Sequence, residues 1–298
     1  MTNPVQSVSV PLFDLEPSEV LPHGRHVLND RPRVPLLHGG SAGSVPDARG
    51  ADEPATSRSA TALLAPPLPD WPTWAHRLAV FDLETTGIDV ETSRVVTANV
   101  SIIDHTGTTE SRYDWIANPG VPIPAGAAAI HGVSTERAVA EGRAATDVVA
   151  EIVDALTDAL DQGLSIVIYN APYDLTLLDR EARRHGITPL REPIPVVDPL
   201  VIDKALDRYR RGKRTLEATA TFYEVELLDA HDAGADAIAA GRVAQSLAAR
   251  YAAELDMSQH QLHHSQAAWF ADQATSFQDY MRRTKDPDFI ARTAWPLG

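Results

Sequence analysis

Val80-Phe81-Asp82-Leu83-Glu84-Thr85-Thr86-Gly87 is the stretch on which the fold of this chain turns. The apolar run Leu78-Ala79-Val80-Phe81 reads as a buried central strand, and Asp82 and Glu84 stand at its end. Residues two apart on a strand point to the same face, so both carboxylates share one side. Like charges at the edge of a core repel, and the arrangement is costly unless something positive lies between them. A hard divalent cation, Mg²⁺ or Mn²⁺, is the simplest partner for carboxylate oxygens. A strand running out into an acidic turn is the alternative, and a lone Asp-x-Glu favours it.

Working outward, Val96, Ala98, Val100 and Ile102 alternate with Thr97, Asn99 and Ser101, the period of a strand. Gly107 permits a turn, and Ser111 to Ile116 return antiparallel. After a Pro/Gly loop from Pro119 to Gly126, Val148, Ile152, Leu156 and Leu160 recur at helical spacing, with Thr146 as the expected cap. Leu164 to Tyr169 is a fourth strand, Leu175 to His185 a helix and Pro195 to Val197 a fifth strand. Helical patterning continues over 200–208, 216–223 and 236–255. Two hairpin-like strands followed by strands alternating with helices predict an α/β fold, a mixed sheet with helices on both faces.

Two further segments bear on the acidic pair. Tyr169-Asn170-Ala171-Pro172-Tyr173-Asp174 places a third carboxylate where a strand passes into a helix, the usual position of a ligand crevice. Asp174 also reads as a first-turn acid complementing the helix dipole. In His231-Asp232-Ala233-Gly234-Ala235-Asp236-Ala237, five residues separate His231 from Asp236. On one helix they would diverge by roughly 140°. Gly234 suggests instead that His231 lies in the preceding loop and Asp236 in the helix, so the two converge. Alone, such a histidine reads equally as a capping or surface residue.

Taken together, these segments resemble the DEDDh branch of the DEDD exonucleases, the DnaQ-like family that includes the epsilon subunit of bacterial DNA polymerase III. Phe81-Asp82-Leu83-Glu84-Thr85-Thr86-Gly87 matches the first family motif. Asn170-Ala171-Pro172-Tyr173-Asp174 matches the second, with Tyr where Phe is frequent. His231, Ala233, Asp236 and Ala237 match the third. Ile130-His131-Gly132-Val133 resembles the family's Ile-His-Gly-Ile loop. Asp198 and Arg210-Arg211-Gly212-Lys213-Arg214-Thr215-Leu216 resemble the segment before the third motif. The resemblance covers about residues 77–250 and implies an RNase H-like fold, with a five-stranded mixed sheet flanked by helices.

The resemblance also implies chemistry. Asp82, Glu84 and Asp236 would hold one Mg²⁺ or Mn²⁺, Asp82 would bridge to a second ion, and Asp174 would act on it largely through water. His231 would be the general base, a task suited to imidazole. The expected activity is 3′→5′ removal of nucleoside 5′-monophosphates from single-stranded DNA ends, in replication proofreading or repair. RNA 3′ ends are the alternative substrate, and an accessory protein acting mainly through partners is another. The expected substrate contacts are backbone donors at Leu83, Thr85 and Thr86, with His131, Asn170 and a stacking Tyr173. Arg208, Arg210, Arg211, Lys213 and Arg214 form the densest basic cluster, a phosphate track or a solvated helix end.

The rest bounds these readings. The chain has 298 residues and no cysteine, which excludes disulfides, thiolate zinc sites and cysteine nucleophiles. Its net charge of −15 cannot hold a polyanion by bulk field, so a local strip or bound metal must reverse the sign. With neither an apolar membrane-length run nor a signal-like start, a cytoplasmic location is expected. Twelve of 22 prolines precede Ala75, so 1–75 is expected to be a disordered arm, which Trp71 and Trp74 join to the 76–255 exonuclease domain. Within the arm, Ser9-Val10-Pro11-Leu12-Phe13 resembles a sliding-clamp docking peptide, and it reads equally as an incidental apolar run. A DNA polymerase is the other partner the family likeness implies. A helical tail, 256–298, carries the stripe Phe270, Ala274, Phe277 and Met281, expected to pack on the core, and a solvated histidine face of His260, His263 and His264.

Overall fold

The apolar run of residues 78–81 opens β1 (Leu78–Thr85), the strand at the heart of a computed structural model that describes residues 68–227 and 230–298. Residues 1–67 of the expected arm, with its clamp-like peptide, lie outside the described residues. β1 pairs antiparallel with β2 (Val95–Ile103), which pairs antiparallel with β3 (Thr109–Asn118). On its other side β1 runs parallel to β5 (Ser165–Val167), and β5 parallel to β6 (Val196–Val197). The sheet order is β4-β3-β2-β1-β5-β6. It has six strands where five were expected; the addition, β4 (Arg143–Ala144), is a two-residue strand beside the end of β3, too short to show a period.

Period two sends the residues of β1 to opposite layers. Ala79, Phe81 and Leu83 face α3 (Ala145–Asp161) and α4 (Ala171–Arg184) in one apolar core. Leu78 and Val80 face α7 (Ala233–Arg250) in the other. Asp82 and Glu84 therefore lie on the α7 side. The polar face of β2 is on that side too, so Asn99 and Ser101 are buried and hydrogen-bond each other at 2.8 Å.

The inner face of α7 is built of small residues, Ala233, Gly234, Ala237, Ala240, Gly241, Ala244 and Ala248, all buried. This lets the helix approach the sheet closely and carries its first turn to the end of β1. A Cβ on Gly241 would lie 2.5 Å from a Val80 methyl and 2.6 Å from Ile103 Cδ1. Gly241→Val is expected to cost about 1–3 kcal/mol by overpacking, read as a lower melting temperature; an unchanged transition would contradict this packing.

The segment between β3 and α3 holds two short helices that periodicity did not show, α1 (Ala125–His131) and α2 (Thr135–Glu141). No residue of α1 is buried, so it carries no apolar stripe. Thr146 does not cap α3. The cap position is Ala144, and the Thr146 hydroxyl bonds His185 Nδ1 at 3.0 Å.

α5 (Pro199–Leu206) and α6 (Leu216–Phe222) lead into α7. The tail helix α8 (Gln259–Thr284) packs on α5 and β6, with Ala274 and Met281 of the expected stripe buried. It also completes the sheet. β6 is an edge strand whose outer backbone groups need partners. His263 Nδ1 accepts from Val196 N at 3.1 Å, and Gln266 bonds both Val196 O at 3.0 Å and Asp198 N at 2.6 Å. The expectation of a solvated histidine face is corrected for His263, which this edge contact buries. The fold also begins before residue 76. Trp74 and Ala75 are buried, and the Trp74 indole donates to Leu255 O at 3.2 Å.

Candidate active site

Four elements meet where β1 ends. β1 supplies Asp82 and Glu84, α4 supplies Asp174, α7 supplies Asp236, and the turn before α7 supplies His231. Asp236 sits in the first turn of α7, and Asp232 caps that helix by accepting from Ala235 N at 2.9 Å. His231 lies outside the helix with a left-handed backbone (φ +71°), and its N–H donates to Asp236 Oδ2 at 3.2 Å. The turn thus converts a five-residue separation into a convergence. Ligand atoms of Glu84, His231 and Asp236 all lie within 4.8 Å of one another. Asp174 reaches the cluster from the opposite layer and accepts from Leu83 N at 3.2 Å.

Burial and mutual repulsion act together on these acids. Burial first, then Asp174, Asp236 and Glu84, push the Asp82 carboxyl well above the ordinary carboxylate range. Burial and the neighbouring Asp236 and Asp174 raise Glu84 to about 8. Burial raises Asp174 to about 8, with Asp198 adding to it and the Leu83 N–H opposing it. Burial raises Asp236 to about 6 against the His231 hydrogen bond. The donor set suits a hard cation: four carboxylates, one of which keeps a buried oxygen, Asp236 Oδ1, without a hydrogen-bond partner.

Acids whose folded pKa is raised stabilise the fold below their unfolded pKa, and that contribution is lost as pH rises through the folded value. Without metal, the melting temperature is therefore expected to fall from about pH 5 to about pH 8, the window of Asp236, Glu84 and Asp174. Added Mn²⁺ should raise it most at the alkaline end, because ligand binding to the native state stabilises it. A metal-free melting temperature that is flat or rising over that range would contradict this electrostatic account.

The expected substrate contacts divide. The N–H of Leu83 is taken by Asp174, and that of Thr86 by Arg94 O at 3.0 Å, so neither is available to a sugar. Thr85 Oγ1 bonds the Tyr173 hydroxyl at 2.6 Å, and that hydroxyl donates to Gly87 O at 2.6 Å, which fixes the loop after β1 to α4. His131 ends α1 beside Thr85 and His231; burial and His231 lower its pKa. Its Nδ1 accepts from Val133 N at 3.3 Å, which leaves the proton on Nε2, directed at the backbone of Thr85. Of the basic cluster, Arg208, Arg211 and Lys213 are exposed. Arg210 and Arg214 instead pair with the buried Asp203, because a carboxylate inside the fold needs cations close by.

Asp198 has a part at the site that spacing did not show. Fully buried after β6, its carboxylate accepts from Asn170 N and Ala171 N, each at 3.0 Å, and from Leu200 N at 3.0 Å. It caps α4 from a neighbouring strand, where Asn170 itself is left-handed (φ +66°) and makes no side-chain cap. Asn tolerates that conformation better than most residues. The start of α4, and with it Asp174, is held by this one carboxylate. Only the place of Asp198 just past a strand hinted at the role.

A model of the RNase T exonuclease family matches residues 79–244, over half of the chain. The chain is 28% identical over 165 residues to the PolC-type DNA polymerase III of Streptococcus sanguinis, covering 55% of this chain and 10% of that protein. It is 35% identical over 104 residues to a DNA polymerase III subunit epsilon-like protein of Rhodobacter capsulatus, covering 34% of this chain and 14% of that one. Among solved structures it is similar to E. coli Exonuclease I in complex with a dA16 oligonucleotide, with TM-score 0.52, 20% identity and coverage of 59% of this chain and 41% of that one. It is also similar to the nuclease domain of 3′hExo, a DEDDh family member bound to rAMP, with TM-score 0.52, 11% identity and coverage of 63% and 97%. The chain thus spans only 10–14% of these two curated relatives. Among the described residues no helix is long and apolar enough to cross a membrane. By the match over its central domain, the chain belongs to the RNase T exonuclease family.

Proposed function

We propose that this chain is a metal-dependent 3′→5′ exonuclease that removes nucleoside 5′-monophosphates from single-stranded DNA ends. The observation that carries this reading is the meeting of Asp82, Glu84, Asp174, Asp236 and His231 at the end of β1. Asp82, Glu84, Asp174 and Asp236 would hold the divalent ions. When bound, two Mg²⁺ or Mn²⁺ ions neutralise the carboxylates and stabilise the attacking and leaving oxygens of an in-line displacement.

The chain's own groups do the rest. His231, exposed at the mouth of the cluster, takes the proton from the attacking water. Its backbone bond to Asp236 keeps it beside the acids. The Thr85–Tyr173 link keeps the loop after β1 in place. His131, Asn170 and the ring of Tyr173 are the proposed contacts of the terminal nucleotide. Exposed Arg211 and Lys213 attract the phosphates upstream. A role in replication proofreading or repair is supported by the relatives, which are DNA polymerase III proteins. A DNA polymerase is accordingly the proposed partner.

A second reading, RNA 3′ ends, is favoured by one observation: the similar nuclease domain of 3′hExo was solved with rAMP. A time course on 5′-labelled single-stranded DNA and RNA in Mg²⁺ or Mn²⁺ decides between them. A ladder shortening from the 3′ end, abolished by EDTA, is expected, faster on DNA. Faster loss of RNA would move the substrate to the second reading. Internal cuts, or loss of label from the 5′ end, would overturn both.

A further inference from the structure

Beneath the exposed basic residues lies a network that the acidic cluster does not use. Asp203 of α5 is fully buried and accepts from Arg210 at 2.7 Å, from Arg214 and from the Tyr223 hydroxyl at 2.9 Å. Arg214 also donates to the carbonyls of Asp203, Asp207 and Arg210, and Arg210 to that of Lys213 at 3.3 Å. A buried ionic group of this kind gains little net stability; what it specifies is shape. Here the shape is that of the loop 207–214. Both arginines point inward, and Gly212 turns the chain at φ +94°. The tip faces solvent, with Tyr209 88% exposed between exposed Arg208 and Arg211.

The base of this loop adjoins the acidic cluster. The carbonyl of Arg214 accepts from the Tyr169 hydroxyl at 2.7 Å, and Tyr169 immediately precedes Asn170 at the start of α4. Thr215 then caps α6, whose Glu217 is near enough to Asp236 to act on it electrostatically. A single exposed tyrosine is ordinary on a protein surface. This one is displayed by a loop anchored on Asp203, beside the proposed phosphodiester-cleaving centre, between two cations on a chain of net charge −15.

We propose that Tyr209, with Arg208 and Arg211, forms a binding subsite for the single strand upstream of the cleaved end. A base stacks on the Tyr209 ring, and the two guanidinium groups take the adjoining phosphates. Such a platform tolerates any base, because every base offers a π-face. The inference rests on the exonuclease reading for its substrate, and it adds the group that makes longer strands bind more tightly than short ones.

Two measurements test it. Kinetics on a dinucleotide and on a long single strand are compared for native protein, Tyr209→Ala and Tyr209→Phe. Tyr209→Ala should raise KM on the long strand by roughly 5- to 150-fold, the loss of one base–aromatic stack. The dinucleotide should be cleaved as before, and Tyr209→Phe should behave as native. Equal KM on the long strand, or equal losses on both substrates, would overturn the subsite.

Binding of a fluorescein-labelled strand to Asp82→Asn protein, read by anisotropy, needs no turnover. Adding Tyr209→Ala should weaken it by the same factor. Adding Arg208→Ala and Arg211→Ala should reduce the salt dependence by about 0.7 per lost phosphate contact. If the native protein cleaves neither substrate, the exonuclease reading fails, and anisotropy still decides the subsite.

Discussion

Asp82→Asn is expected to abolish exonuclease activity, by about a thousandfold or more, while making the metal-free protein more stable. The loss follows from the place of Asp82 among the acids that would hold the proposed ions. Removing it forfeits several kcal/mol of charge stabilisation in the transition state, and about 1.4 kcal/mol is a factor of ten. The gain follows from the same position. Burial and four neighbouring carboxylates already disfavour the ionised form of Asp82, so a neutral isostere relieves repulsion. Single-turnover rates and thermal melts at about pH 8 read the two effects separately. A variant that loses activity and melts at a lower temperature would point to a merely structural Asp82.

His231→Ala should reduce kcat by about 10²- to 10⁴-fold, the range for loss of a positioned general base. KM should change little, since the side chain is exposed at the mouth and the chain makes its fixed contact through the backbone N–H to Asp236. That N–H survives in the alanine variant, so the carboxylate cluster keeps its arrangement. A variant with native kcat would remove His231 from the proton transfer.

Much of this was legible in the sequence because the relevant signals are periodic or local. The apolar run Leu78–Phe81 and the alternation of Val96–Ile102 mark the two central strands, and the pairing of Asp82 with Glu84 on one face follows from period two. The convergence of His231 with Asp236 could be argued from Gly234, although the turn that achieves it is the left-handed backbone of His231 itself. What periodicity missed is what tertiary contacts decide. α1 has no fully buried residue, and β4 is two residues long. Arg210 and Arg214 look like their exposed neighbours until Asp203 is seen beneath them. The backbone donors of Leu83 and Thr86 look free until Asp174 and Arg94 take them. His263 and Gln266 look like solvated helix residues until β6 is found to need edge partners.

Asp198 shows the same limit at the site. Its carboxylate is 28 residues from the Asn170 N–H and 27 from the Ala171 N–H. No local rule joins them. Only the parallel pairing of β5 with β6 brings the two strand ends together. The carboxylates of the proposed metal centre are thus easier to find in the sequence than the one that holds the start of α4.

The central claim is that the acids at the end of β1 form a two-ion centre. A titration of free Mn²⁺ by electron paramagnetic resonance, with a nucleoside 5′-monophosphate present, tests it most directly. Native protein should take up two ions per chain and Asp82→Asn at most one. A native protein that leaves all the Mn²⁺ free, or a variant that binds as many ions as the native chain, would contradict the account.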